Sequence, residues 1–422
     1  MSRERSTAQS DERAGRFVLV DTMRGLAALS VILFHVSILF VGPNGNNSVW
    51  GWIASRNVGQ PDTCVIMFFL ISGFVLYRPF VAARYAGRSM PSVRNFAIRR
   101  AARVLPAYWV ALAIATVWVP LPEVQSVRGA LRYGLFLQAY GPEPQAVMGL
   151  QQAWTLCVEL PFYFALPVIA WGVRRLGARV SVLTSEVAMC LTLMLLTPIY
   201  QVFVLSNTFT TDPNQKIEQL QMWLPGGIGM FAIGMLFAVV SVDTSARLHW
   251  PRWLTLVDRA PWLFWLLGIG VWFLIVPVAN IQGWSGFAGY IPSEWMKALN
   301  CSLMMLPVIF GELEHGWLRR LLGLRPLVWF GTITYGVYLW HVPLLTIMQN
   351  RLVPHGAVVT FLVLMVVTIA FGAASWYLIE RPSMRLARRY LRARSAAQAQ
   401  PIAVHGGEPV IGVATDRTGE RS

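Results

Sequence analysis

Apolar runs long enough to cross a lipid bilayer recur along almost the whole of this chain, and they constrain its fold more than any other feature. A spanning helix needs about 20 mainly apolar residues. Counting such runs predicts an all-α polytopic membrane protein of about ten transmembrane helices. The candidate spans are 17–41, 63–83, 104–120, 152–172, 184–205, 223–240, 262–280, 296–311, 331–349 and 357–378.

Composition agrees with a lipid environment. The chain has 422 residues, of which 55% are hydrophobic and only 13% are charged, too few polar groups to cover a soluble enzyme of this size. Four cysteines lie in or beside apolar runs without metal-site spacing, so we expect no metal. The sequence divides into a cytoplasmic segment at 1–16, a transmembrane domain at 17–380, and a basic, then disordered, cytoplasmic tail at 381–422.

The formal net charge of +15 reflects membrane topology rather than nucleic-acid binding. Of the 35 Lys and Arg residues, 27 lie in the termini and alternate connections, six lie in the intervening connections, and Arg24 and Arg78 lie within spans. Basic residues concentrate in cytoplasmic loops of membrane proteins. We therefore expect both termini in the cytoplasm and a multi-pass protein of the inner (plasma) membrane.

The first span contains two ionisable residues, Arg24 and His35, eleven positions apart. At helical geometry they share a face and are separated by about 16 Å along the axis. Arg24 then lies near the cytoplasmic end and His35 in the outer half. Ionisable groups within a membrane usually serve a function, although Arg24 as an anchor at the membrane surface and His35 as a packed histidine is the structural alternative.

Glu159 lies in the fourth span, which enters from the outside, at nearly the depth computed for His35. A carboxylate that orients an imidazole makes it a general base. We therefore predict that Glu159 and His35 form a catalytic pair able to deprotonate a hydroxyl. The alternative is a structural Glu159 paired with another basic residue.

An arginine cluster precedes the third span and lies level with Arg24. Arg100 and Arg103 share a helical face and are the better candidates for binding phosphates. Arg94 and Arg99 are equally explained by the positive-inside rule and anionic lipid. A basic inner layer and a histidine further out would suit an acyl-coenzyme A, whose extended arm of about 15 to 20 Å could deliver its thioester to His35.

In the ninth span, Tyr335, Tyr338 and His341 recur at a spacing of three residues. We predict that they line the path of an acceptor substrate. An interfacial aromatic belt with a packing histidine explains them equally well.

These motifs, in order, resemble the acyltransferase-3 family of integral membrane O-acyltransferases. The resemblance rests on Arg24 with His35, Arg100 with Arg103, and the stretches 68–74, 154–159, 335–341 and 380–382, and it covers almost every span. It implies transfer of an acyl group, most often acetyl, from acyl-coenzyme A to a hydroxyl of a carbohydrate, lipid-linked sugar or glycosylated metabolite, with His35 catalytic. Cys157 interrupts one motif and is best explained as a small buried side chain.

Two other classes of function fit some of the same residues. A transporter that exports a small acid or lipid-linked sugar could use the buried charges as a proton relay. Against it, no pair of broken helices indicates an inverted repeat. A sensor or scaffold would leave the shared face of Arg24 and His35 unexplained.

Overall fold

The computed structural model of the chain describes residues 2–40, 62–119, 121–140, 148–206, 220–247, 251–279, 289–311 and 316–399. Regular structure in these ranges is helical. The α-helices are α1 Ser2–Ile38, α2 Asp62–Tyr85, α3 Val93–Trp118, α4 Val127–Gly134, α5 Trp154–Leu176, α6 Val182–Ser206, α7 Leu224–Arg247, α8 Arg252–Arg259, α9 Pro261–Ala279, α10 Tyr290–Ile309, α11 Trp317–Leu322, α12 Arg325–Leu352, α13 Ala357–Ser375 and α14 Arg381–Ala399.

The structure supports a multi-pass membrane protein with fewer clear spans than the sequence count of ten. Among the described residues, seven helices are long and apolar enough to cross a membrane, or eight if the bent pair α8 and α9 forms one span. The helices at the predicted eighth and ninth spans, α10 and α12, are not among the seven. Both are present as helices, but they contain polar residues such as Lys297 and His341. The count of ten and the orientation remain predictions.

Glycines permit the closest helix contacts. A Cβ atom at Gly73 of α2 would collide with the carbonyl group of Phe231 in α7, and one at Gly331 of α12 would collide with that of Asp21 in α1. These residues must therefore be small for the helix axes to approach this closely. The α2–α7 and α1–α12 pairs belong to two separate apolar cores.

The two cores meet around α5. One is built chiefly from α2, α7 and α10, and the other from α1, α3, α12 and α13. Phe68, Trp154 and Tyr163 pack against both of them. A cavity between the cores can therefore collect side chains from both halves of the bundle.

Both ends of the predicted transmembrane domain lie within longer helices. Helix α1 runs through the predicted boundary at residue 16. The helical segment that begins at Ala357 continues to Ser395, with an apolar first part and a basic second part. Residues 400–422, most of the predicted disordered tail, lie outside the described part of the chain. The three domain boundaries therefore stay predictions.

Candidate active site

A small cavity of about 100 Å³ lies where the two cores meet. Six of the eight residues predicted for the site line it. These six are Arg24, Arg100, Arg103, Glu159, Tyr335 and Tyr338; the remaining lining residues are Phe68, Phe69, Ser72, Val104, Thr155, Leu156, Tyr163 and Thr334. His35 and His341 are not in its lining. The structure thus brings α1, α3, α5 and α12 to one point.

The three arginines form the most positive part of the cavity. Arg24 donates a 2.7 Å hydrogen bond to Asp21 one turn away and interacts electrostatically with Arg100 and Arg103. The guanidinium group of Arg100 lies 5.9 Å from the ring centre of Tyr163, within cation–π range. Arg24 is paired with Asp21, and the three guanidinium groups share the cavity with the carboxylate of Glu159; an anionic ligand there would add a further counter-charge.

Helix α3 separates the four arginines of the sequence cluster. The helix begins at the N-cap Ser92, so all four arginines lie within it. Arg100 and Arg103 face the cavity, whereas Arg94 and Arg99 are exposed. Arg94 instead donates to the hydroxyl of Tyr390 in α14. The helical spacing therefore distinguished the inward pair from the outward pair correctly.

Glu159 does not contact His35. Its carboxylate accepts a 2.7 Å hydrogen bond from the hydroxyl of Ser72 in α2, and among the described residues no hydrogen bond or ion pair joins it to His35. The predicted pairing is therefore wrong in geometry. Matching depth fixes one coordinate only, and α1 packs against α12, α2, α10 and α13 instead of placing His35 beside Glu159.

His35 instead meets the other predicted histidine. The ring centres of His35 and His341 lie 4.9 Å apart, edge to face, because α1 and α12 are packed together. Nδ1 of His35 lies 2.9 Å from the carbonyl oxygen of Val31, and Nδ1 of His341 lies 2.7 Å from that of Tyr338. A carbonyl oxygen can only accept, so each Nδ1 carries the proton and each Nε2 is the basic nitrogen.

Tyr338 connects the cavity to the histidines. Its hydroxyl donates to the carbonyl group of Gln152 at 2.8 Å and lies 3.1 Å from the hydroxyl of Thr155. Its ring centre lies 5.5 Å from that of His341. A continuous series of contacts therefore runs from the arginine-lined cavity through Tyr338 and His341 to His35.

In this contact series, Nε2 of His341 is a hydrogen-bond acceptor without a partner among the described residues. The residue is fully buried, and no described residue hydrogen-bonds to its Nε2. Tyr335, by contrast, is anchored, because its hydroxyl donates to the carbonyl group of Val104 at 2.8 Å. The ninth predicted span is thus a wall of the site, with one fixed tyrosine and one buried basic nitrogen to which no described residue hydrogen-bonds.

Two polar residues of α5, Tyr163 and Thr155, line the cavity and were not among the predicted site residues. Tyr163 follows Glu159 by four residues, and Thr155 precedes it by four, so all three lie on one face of α5. That helical spacing could have identified them. Ser72 is also in the lining: its neighbour Gly73 permits close helix packing, and the Ser72 hydroxyl donates a hydrogen bond to Glu159.

Comparison with known proteins establishes the class. A family profile described as an acyltransferase domain matches residues 18–377. The chain therefore belongs to this acyltransferase family, and the resemblance drawn from its motifs is confirmed. The prediction of an enzyme that transfers acyl groups is confirmed with it, and nothing found supports the transporter alternative.

Several characterised relatives are similar along most of this chain. Nodulation protein 10 of Rhizobium leguminosarum bv. viciae is 25% identical over 391 residues, which are 87% of this chain and 93% of that protein. A peptidoglycan O-acetyltransferase of Listeria monocytogenes is 22% identical over 362 residues, 78% of this chain and 49% of that protein. An O-acetyltransferase of Staphylococcus aureus is 22% identical over 386 residues, 86% of this chain and 56% of that protein.

Coverage differs between these relatives. The chain spans nearly all of the nodulation protein but about half the length of the two named O-acetyltransferases. No solved structure matches this chain. Within the described residues, no group of three or more His, Cys, Asp and Glu side chains could hold a metal ion.

Proposed function

We propose that this protein transfers an acetyl group from acetyl-coenzyme A to a hydroxyl of a carbohydrate or glycosylated acceptor at the inner (plasma) membrane. The observation that supports this proposal best is the cavity lined by Arg24, Arg100 and Arg103, with the Tyr338–His341–His35 contact series leading away from it. The names of the relatives, which include peptidoglycan O-acetyltransferases, favour an acceptor in the cell envelope.

The arginines would bind the phosphates of the donor. Three guanidinium groups in one place suit a polyanion, since each can donate two hydrogen bonds to a phosphate. The cavity is small, about 100 Å³, well below the volume of a typical small-molecule site, so we expect only the thioester end of the donor to enter it. The nucleotide would remain outside, at the predicted cytoplasmic mouth of α3.

His35 would act as the general base. With its Nδ1 proton donated to Val31, its Nε2 can accept the proton of the acceptor hydroxyl while that oxygen attacks the thioester carbonyl. The carbon–sulfur bond then breaks, and the proton passes to the departing thiolate to give free coenzyme A. The carbonyl group of Val31, rather than Glu159, would hold the imidazole in the reactive tautomer.

Glu159, Tyr335, Tyr338 and His341 would position the two substrates. Glu159 is held by Ser72 beside the arginines, where it can accept a hydrogen bond from the amide-rich arm of the donor. His341, whose ring contacts those of Tyr338 and His35, would position these two side chains toward the substrates. Direct transfer from donor to acceptor requires no acylated side chain, and Cys157 is fully buried and outside the cavity lining.

Binding and turnover of acetyl-coenzyme A by detergent-purified protein test this proposal. His35→Ala should reduce acetyl transfer by about 10² to 10⁴ while the donor still binds, because only the base is lost. Arg24→Ala should weaken binding of the donor. His355→Ala, at an exposed position after α12, is the matched control and should do neither.

The outcomes separate the assignments. Full transfer activity in the His35 variant would exclude His35 as the base. Absence of donor binding in folded wild-type protein would exclude acetyl-coenzyme A as the donor, whatever the acceptor.

A further inference from the structure

A second cavity, larger than that of the candidate active site, is lined by residues between Thr255 and Arg319. It has a volume of about 880 Å³ and is formed where α8 meets α9 and α11. Small-molecule sites typically measure 300 to 1,000 Å³. None of its lining residues belongs to the active-site cavity, so acyl transfer leaves it without a role.

Its position corresponds to a membrane surface. Helix α8 is short and amphipathic, with Leu254 and Val257 buried and Arg252 and Arg259 exposed. It meets the strongly apolar α9 at an angle of 87°. A helix of this kind lies in the plane of the interface, while the apolar helix after it enters the bilayer.

Tryptophans form most of the apolar wall. Trp262, Trp265 and Trp317 line the cavity, and Trp262 and Trp317 are 60% and 75% exposed on its rim. Tryptophan is enriched where a membrane protein meets the headgroup region, because its indole ring is both apolar and able to donate a hydrogen bond. These rings could contact the upper part of a lipid tail.

The charges around the cavity favour an anion. Among the described lining residues the one carboxylate, that of Asp258, is neutralised by the fully buried Arg319 at 2.9 Å. Arg319 is occupied further by the carbonyl groups of Val257 and Pro307. Arg259 remains on the rim as an exposed cation, with no hydrogen bond to another described residue.

We propose that this cavity binds an anionic membrane phospholipid. The phosphate would contact Arg259, and the glycerol and the first part of an acyl chain would lie between Trp262, Trp265 and Trp317. The occupant enters from the membrane and is distinct from both substrates of acyl transfer. Because α8 and α9 meet at a bend, Arg259 for the phosphate and the tryptophans for the acyl chain lie at the same cavity.

Native mass spectrometry of the purified protein, with added phosphatidylglycerol or phosphatidylcholine, tests the charge. Wild-type protein should retain one phosphatidylglycerol about tenfold more strongly than phosphatidylcholine, the effect expected for one charge-assisted phosphate contact. Arg259→Gln should remove that preference. Arg252→Gln is the matched control, since Arg252 is exposed on the same helix but does not line the cavity.

A second pair of variants tests the apolar wall. Trp317→Ala should reduce retention of both lipids several-fold, whereas Trp253→Ala, at an exposed tryptophan outside the cavity, should leave it unchanged. Equal retention by wild type, Arg259→Gln and Trp317→Ala would overturn the proposal. Displacement of the bound lipid by inorganic phosphate alone would also overturn it, because the site would then recognise a free anion.

Discussion

Two groups of polar side chains, one around Arg84 and one around Arg100, both contain an arginine from the same basic stretch of the sequence. Their surroundings in the structure differ. Arg84 forms an ion pair with Glu186 at 2.7 Å and donates to Ser185 and to the carbonyl group of Gly177. Arg100 instead faces a cavity together with two other arginines. In the first cluster direct protein partners match the charge of the arginine and stabilise the fold. The second cluster also has Asp21 and Glu159 nearby, but its guanidinium groups face a space, which suits a ligand.

The matched cluster should govern stability. Arg84→Ala leaves the carboxylate of Glu186 buried without its cation; Tyr77 remains as a hydrogen-bond donor to it. Breaking a buried ion pair on one side costs about 3 to 5 kcal/mol. We expect a large loss of thermal stability in detergent, measured as the melting temperature, with unchanged affinity for acetyl-coenzyme A in the protein that remains folded.

Arg88→Ala, exposed at the end of the same segment, is the control and should melt like wild type. The double variant Arg84→Met with Glu186→Leu should recover most of the lost stability, because it removes both buried charges. A double variant as unstable as Arg84→Ala would show that the charges themselves are needed.

The cavity cluster should govern donor binding. Arg100→Ala removes one guanidinium group from a site that we propose for phosphates, so KM for acetyl-coenzyme A should rise about 10- to 100-fold, the value of one charged hydrogen-bonding group. Melting temperature should change little, since repulsion among the three arginines falls. Steady-state kinetics of acetyl transfer measure the effect.

Arg99→Ala provides a stringent control for this variant, because Arg99 is adjacent in sequence and exposed. It should leave KM within about twofold of wild type. If both variants raise KM equally, general attraction between a basic surface and the donor would explain the binding, and the cavity would not.

Ser72 tests whether Glu159 must be held in place. Ser72→Ala removes the 2.7 Å hydrogen bond to Glu159, worth about 1 kcal/mol or slightly more because the acceptor is charged. We expect a five- to twentyfold fall in kcat/KM, partly restored by Ser72→Thr. The same fall without rescue by threonine would indicate that the change disturbs the packing of α2 instead.

The comparison also shows how far the sequence could predict the site. Spacing along one helix places residues on a face, so Arg100 and Arg103 were separated correctly from Arg94 and Arg99. The position of a residue along its helix also predicts its depth in the membrane. It does not predict which helices pack against one another. The pairing of Glu159 with His35 failed for this reason, and the contact between His35 and His341 depends on the packing of α1 against α12.

The span count differs for a related reason. Hydropathy detects helices that are apolar along their length, whether enclosed or facing lipid, but α10 and α12 contain the polar residues Lys297 and His341, both of which are buried. Helices enclosed by other helices can be polar on their inner faces, and such helices lower the apparent number of spans. Of these two residues, His341 belongs to the contact series of the candidate site, whereas Lys297 forms an ion pair with Glu294 of its own helix.

The smallest expected effect concerns the length of the acyl group. Leu156 is buried and lines the cavity, whose volume of about 100 Å³ leaves little room beyond an acetyl group. One methylene in an apolar pocket changes discrimination by about 10- to 200-fold at most. Leu156→Ala should therefore raise the ratio of kcat/KM for propionyl-coenzyme A to that for acetyl-coenzyme A several-fold. Leu166 is equally buried on α5 but outside the cavity lining, so Leu166→Ala should destabilise the protein comparably and leave this ratio unchanged. An equal change of the ratio in both variants would mean that the cavity does not determine the preferred length of the acyl group.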